Sequence, residues 1–259
     1  MFPVLYSFGD IHFYTYGFSL FFALMVIYFL CRRAVPGSIL SLDNVDDLML
    51  IIIGSLWLGG GLIYLVFSAL SGQVDLKNFL AIKTLQQFSV FPVAIATTLA
   101  ITLWCRWKKL PLIGVLDFLM PFLTIGYGLH RIIGCFSAGC CYGNPTPLPW
   151  GVNFPANAAL SGPPPGIAIH PTQIYLGLGA FLTWWLLYRF QNALQLPGAR
   201  TALGLAGLSG FYFIVAFFRA DMDMNPGQPG LMSAKLMALA VTLVSTVVLV
   251  KLWKKDTDY

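Results

Sequence analysis

The chain has 259 residues, 58% of them apolar and only 10% charged, with a net charge of +5 and no glutamate. An ordinary soluble domain carries about 25% charged residues, so this composition excludes a water-exposed globular enzyme and assigns the chain to the bilayer. The positive balance needs no nucleic acid, because basic loops facing anionic lipid account for it.

Crossing roughly 30 Å of hydrocarbon takes about 20 mostly apolar residues in a helix. In chain order the stretches that fit are Phe13–Cys31, Leu48–Leu70, Phe88–Cys105, Leu110–Leu129, Pro171–Phe190, Leu203–Phe218 and Leu231–Leu252. The predicted class is therefore an all-α integral membrane protein with seven transmembrane helices, one membrane domain over residues 1–259. No solenoid repeat or interdomain linker interrupts it.

Short cytoplasmic loops carry the excess of Lys and Arg. One side collects Arg32, Arg33, Arg106, Lys108, Lys109, Arg189, Arg200, Lys251, Lys254 and Lys255; the other has only Lys77, Lys83, Arg131, Arg219 and Lys235. This bias predicts the N-terminus outside and the C-terminus inside. Met1 to Asp10 lacks a basic n-region and no small-residue cleavage site follows, so the first span is expected to stay as an anchor. The long polar excursion, about 130–170, is rich in Pro and Gly and is predicted to be an outer loop.

Ionisable groups inside a bilayer are costly and usually face the bundle interior or a wet cavity. Asp117 lies within the fourth stretch, where it either caps and packs or pairs with Arg131 or a backbone group. Arg131 stands at the outer end of that stretch, and Arg219 closes the sixth. Arg219 either snorkels beside Asp221 and Asp223 or joins Arg131 in an anion site, since guanidinium forks suit phosphate oxygens. Tyr14 and Tyr16 fit an aromatic belt.

Ile11-His12-Phe13-Tyr14-Thr15-Tyr16-Gly17, Leu58-Gly59-Gly60-Gly61 with Tyr64, Asp117-Phe118 with Pro121 and Arg131, His170-Pro171-Thr172-Gln173-Ile174-Tyr175, and Phe217-Phe218-Arg219 occur in an order that resembles the prolipoprotein diacylglyceryl transferase family. The resemblance runs from about Asp10 to Leu252. It implies a multi-pass protein of the bacterial inner membrane with periplasm-facing chemistry. That chemistry moves a diacylglyceryl group from the phospholipid phosphatidylglycerol to a lipobox cysteine of a lipoprotein precursor, releases glycerol phosphate and needs no cofactor. By position, Arg131 matches the signature arginine, Arg219 a phosphate-binding arginine, Tyr16 a tyrosine near the lipid, and His170 the histidine of a His-Pro-Ser-Gln type motif.

The chain departs from the family where acid and base groups are expected. The third-span His-Gly-Gly motif is replaced by Phe88-Ser89-Val90-Phe91-Pro92-Val93. After Arg131 the family's Gly-Asn-Phe and glutamate give way to Ile132-Ile133-Gly134-Cys135 and, further on, Gly139-Cys140-Cys141-Tyr142-Gly143. A second arginine expected seven residues before Arg219 is Tyr212, and the one after the second-span glycines is Leu62.

Cys135, Cys140 and Cys141 admit four uses. Cys135 can bridge Cys140 or Cys141, whereas an adjacent pair is a strained disulfide. Metal binding with His130 or His170 is a second use, although Cys-x4-Cys-Cys fits no zinc signature and no metal is expected. A thiol near Arg131 and a histidine can ionise and act as a nucleophile, with His130 or His170 handling the proton. Plain packing is the fourth. Cys31 and Cys105, at inner span ends, are expected to be inert.

His170 before Pro171 is either a helix-start residue or part of the site; Tyr175 is expected to line a cavity and Gln173 to orient a headgroup. Taken together, the expected function is a phospholipid-dependent membrane transferase with catalytic Arg131, His130, His170, Cys135, Cys140 and Cys141 and phospholipid held by Arg131, Arg219, Tyr16, Gln173 and Tyr175. The alternative is a non-enzymatic or thiol-redox membrane protein that keeps the fold as a lipid-binding scaffold.

Overall fold

The computed structural model describes residues 4–8, 11–70, 90–155, 165–220 and 231–257. Asp221, Asp223, Phe88 and Ser89 lie outside them. An antiparallel hairpin of β1 (Val4–Phe8) and β2 (Ile11–Tyr14) runs directly into α1 (Thr15–Ala34). Next come α2 (Leu42–Leu70), α3 (Val90–Lys108) and α4 (Leu112–His130). Two short paired strands, β3 (Val152–Asn153) and β4 (Ala168–Ile169), precede α5 (Thr172–Arg189), α6 (Ala199–Val215) and α7 (Leu231–Thr257).

The chain is mostly helical, and among the described residues four segments are long and apolar enough to cross a membrane: Thr15–Ala34, Leu112–Ala138, Ala199–Phe218 and Ala234–Lys254. Helices α2, α3 and α5 overlie the three remaining apolar stretches. Their residues are distributed as lipid demands. α1 buries Thr15, Ser19, Ala23, Ile27 and Cys31, four apart on one face, and exposes Phe18, Phe21, Phe22 and Phe29. Small and weakly polar side chains let helix backbones approach, while aromatics face outward where hydrocarbon takes the place of water.

The predicted fourth stretch ends too early. α4 runs on without a break through a π turn, Arg131–Cys135, and a last turn, Phe136–Ala138. His130 and Arg131 therefore stand on a helix, not in the outer loop. Pro171, expected at the first helical position, is the N-cap of α5 instead.

The chain divides into two compact units, Arg32–Val115 and Met1–Cys31 with Leu116–Tyr259. In the first, α2 and α3 are joined at their charged ends. Arg32 pairs with Asp46 at 2.7 Å, and Asp47 accepts hydrogen bonds from Lys108 Nζ at 2.9 Å and Trp104 Nε1 at 3.1 Å. The bonds from Lys108 and then Trp104 hold the Asp47 carboxyl below its ordinary range. Exposed pairs of this kind contribute at most about 1 kcal/mol.

In the second unit Asp117 organises a helix start. Its carboxylate accepts the Gly198 N–H at 2.6 Å, the Thr201 N–H at 2.7 Å and the Thr201 hydroxyl at 2.6 Å. The two N–H groups are orphan donors at the N-terminus of α6, where negative charge also meets the helix dipole. Asp117 is a cap supplied from another helix and takes no part in an Arg131 pair. Asp117→Ala is expected to cost about 1–2 kcal/mol, within the range for lost caps, seen as a lower unfolding midpoint in detergent; Asp117→Asn should lose less.

Candidate active site

The cysteine segment is shaped by three local events. The π turn adds a residue to the α4 spiral, a distortion that recurs at functional sites. Gly139 then ends the helix with φ +70°, and Cys141 takes φ +60°. For a residue with a Cβ the left-handed region costs about 1–2 kcal/mol, and surrounding contacts have to impose it.

Those contacts are visible on both flanks. The Asn144 N–H donates to the Phe218 carbonyl at 2.7 Å and the Ala220 N–H to the Tyr142 carbonyl at 3.1 Å, while the His170 N–H donates to the Asn144 carbonyl at 3.0 Å. Gly143 thus threads between the end of α6 and the strand before α5. A Cβ there would lie 2.6 Å from the His170 carbonyl oxygen and 2.8 Å from that of Phe218. Below it, Tyr142, Phe154 and Ile169 form an apolar plug with Phe136, Val152 and Ala220. Gly143→Ala is expected to destabilise the protein by about 1–3 kcal/mol, the usual cost of overpacking, and to abolish activity because backbone, not a flexible tip, must move.

Around this loop the charged and thiol groups converge. Arg131, 5% exposed, donates from Nη1 to Cys141 Sγ at 3.2 Å and approaches Cys135 Sγ at 3.8 Å; its guanidinium lies over the Tyr127 ring at 4.9 Å. The three sulfurs of Cys135, Cys140 and Cys141 all lie within 4.8 Å of one another, as free thiols. Arg219, 6% exposed, pairs in backbone register with Gly143 and donates to Tyr212 Oη at 3.3 Å. It is buried and does not snorkel. Hydrogen bonds from the Cys135 and Cys140 thiols, then the guanidinium groups of Arg219 and Arg131, hold the Cys141 thiol well below its ordinary range against the effect of burial. Cys141 should therefore be the first of the three labelled by iodoacetamide at pH 7, read by peptide mass spectrometry. Equal labelling of Cys140 would contradict this, because a thiolate and not a thiol is the nucleophile.

Carbonyls of the cysteine pair are anchored by α5. The Thr172 hydroxyl donates to the Cys141 carbonyl, and Gln173 Nε2 to that of Cys140 at 2.7 Å. Gln173 is fully buried, so it positions the thiol segment; Oε1 has no hydrogen-bond partner among the described residues.

The two histidines occupy separate settings. His130 Nδ1 is 3.0 Å from Ser19 Oγ, and its ring meets Tyr16 edge-on at 4.7 Å. His170 Nδ1 is 3.2 Å from Tyr175 Oη, which also accepts the Trp150 indole N–H at 2.9 Å, and its ring packs on Phe218 at 5.0 Å. Among the described residues neither histidine hydrogen-bonds a sulfur. Tyr175 and Phe218 in turn head an apolar groove of about 310 Å³ between α5 and α6, lined further by Leu178, Leu182, Phe211 and Ile214.

Residues 3–251 match the family model described as prolipoprotein diacylglyceryl transferase. The chain belongs to the prolipoprotein diacylglyceryl transferase family. It is similar to phosphatidylglycerol–prolipoprotein diacylglyceryl transferases from Clostridium tetani (30% identical, over 86% of this chain and 87% of the relative), Sinorhizobium medicae (27%, over 97% and 90%) and Bordetella avium (28%, over 84% and 81%).

Within the diacylglyceryl transferase framework, several participants escape the sequence reading. Tyr127 is one turn before Arg131, an i, i+4 spacing that places the aromatic beside its arginine, whereas Arg219 lies in extended backbone past the helix end and meets Tyr212 only because the chain turns there. Thr172 and Ser19 meet their partners only through tertiary packing, and no local pattern announces them.

Proposed function

We propose that this chain is a transferase of the bacterial inner membrane that takes the diacylglyceryl group from phosphatidylglycerol and attaches it to a cysteine thiol of a lipoprotein precursor. It is a single membrane domain of seven spans, N-terminus outside and C-terminus inside, with its chemistry at the periplasmic face. Family membership supports the reaction class. The observation that carries the assignment to a site is the meeting of two buried guanidinium groups, Arg131 and Arg219, at one thiol-rich loop.

Buried cations attract an anion of matching geometry, and a phosphodiester offers the oxygens an arginine fork prefers. In this reading the headgroup phosphate takes the other donors of Arg131, whose Nη1 stays on the Cys141 sulfur, and bridges to Arg219, and an acyl chain follows the groove below Tyr175 and Phe218. The acceptor sulfur attacks the glycerol carbon next to the phosphate. A C–S bond forms as the C–O bond breaks, and glycerol phosphate leaves with its charge neutralised by both arginines, an interaction that strengthens as charge develops. Tyr16 with His130 closes one wall; His170, tied to Tyr175 and Trp150, stands at the head of the groove to take up the thiol proton.

Proteoliposomes containing the purified protein, radiolabelled phosphatidylglycerol and a lipobox peptide test the reading. A lipidated peptide thiol with equimolar glycerol phosphate is expected. Headgroup release without peptide modification would retain the transferase and reject the acceptor; no release would reject both.

A further inference from the structure

The sulfur cluster has a geometry that its spacing in the sequence does not disclose. We infer that Cys135, Cys140 and Cys141 form a three-thiolate site for a divalent zinc-class ion whose fourth position receives the acceptor thiol. The inference rests on the transferase reading and adds to it the means by which the acceptor is ionised.

Distance is the first argument. Zinc–sulfur bonds are about 2.3 Å and tetrahedral, which places ligand sulfurs about 3.8 Å apart. The three Sγ atoms already lie within 4.8 Å of one another, so each moves inward by about half an ångström or less to close on an ion. The π turn and the left-handed residues Gly139 and Cys141 bring them together, making a site from a Cys-x4-Cys-Cys run that matches no zinc signature.

Support of the ligands is the second. Metal sites depend on hydrogen bonds that fix the first ligands. Here Arg131 donates toward Cys141 and Cys135, while Thr172 and Gln173 hold the carbonyls of Cys141 and Cys140. Charge is the third. A divalent ion with three thiolates carries one excess negative charge and a fourth thiolate makes it two, which two guanidinium groups, Arg131 and Arg219, balance in a site where unpaired charge is costly.

Three protein ligands leave an open position, the mark of a reacting rather than a structural zinc. Cys140 and Cys141 are half-buried, so that face is reachable. A coordinated thiol is deprotonated outright, which ionises the acceptor in a chain that has no glutamate and no imidazole from Phe88 to Val93. The acceptor thiol binds and loses its proton to His170 and then water. Its sulfur forms the bond to the glycerol carbon while the C–O electron pair leaves with glycerol phosphate. The metal does not change oxidation state, and the neutral thioether product, a weaker ligand than a thiolate, departs.

The test uses the full-length protein in phospholipid nanodiscs, reduced, stripped with a chelator and titrated with Zn2+ or Co2+. One ion per chain is expected, with thiolate-to-cobalt absorption in the near ultraviolet. Cys135→Ser, Cys140→Ser and Cys141→Ser should each weaken binding at least tenfold, and Cys31→Ser should not. Adding lipobox peptide to the cobalt-loaded wild type should strengthen that absorption, and a peptide with serine for the cysteine should not. This arm needs no variant to fold. Absence of stoichiometric uptake, or a spectrum blind to the peptide thiol, would overturn the inference. Transfer from phosphatidylglycerol that proceeds at full rate after metal removal would also overturn it and leave the transferase reading standing. Metal uptake without transfer under any condition would instead sink the transferase reading.

Discussion

Arg131→Lys is expected to lower kcat/KM for lipid transfer by about 10²- to 10³-fold, the loss typical of removing one positioned donor at a developing anion. The substitution keeps the positive charge, so a defect of that size isolates geometry from charge. Arg131 is buried, stacks on Tyr127 at 4.9 Å and reaches two sulfurs from one nitrogen, at 3.2 and 3.8 Å. An ammonium is a compact point donor that cannot span phosphate and thiol in a fixed plane. Arg131→Ala should be worse, because it removes the guanidinium that hydrogen-bonds the Cys141 sulfur at 3.2 Å. The measurement is steady-state transfer in proteoliposomes, with helix content checked by circular dichroism. Lysine activity within a few-fold of wild type would show that charge alone suffices.

Arg219→Gln is expected to lower kcat/KM to a similar degree, with a larger share appearing in KM for phosphatidylglycerol. Arg219 closes the far side of the loop: its backbone pairs with Gly143, and its guanidinium donates to Tyr212 Oη at 3.3 Å. Glutamine keeps hydrogen-bonding capacity and removes the charge, so a phosphate is held less tightly both before and during reaction. A loss confined to KM means uniform binding, whereas a matching loss in kcat marks an interaction made in the transition state. The companion variant Tyr212→Phe removes only the phenol oxygen; it should cost less than tenfold, because the ring that supports the guanidinium at 5.8 Å remains.

Helix positions were legible in the sequence because apolar runs of membrane length admit few other folds: α5 and the segment closing at Phe218 end within a residue of the stretches read from composition. What escaped was continuity after Leu129. Gly134 and the cysteines read as loop, yet the helix persists as a π turn that buries Arg131, Gly134 and Cys135. The role of Asp117 was open for a similar reason, since its partners Gly198 and Thr201 lie more than 80 residues away. The arginines and thiols were recognisable individually. Their convergence depends on backbone pairing of Gly143 with Arg219 and of Asn144 with His170, long-range contacts that no periodicity encodes. Sequence also offered two histidines as equals, and packing separates them: His130 is bound to Ser19 and Tyr16, His170 to Tyr175 and Phe218.

The most direct measurement is an experimental structure of the protein with phosphatidylglycerol bound. The headgroup phosphate should sit within hydrogen-bonding reach of both Arg131 and Arg219, with an acyl chain leaving along the groove beneath Tyr175 and Phe218. A lipid phosphate bound elsewhere, out of reach of both arginines, would contradict the account.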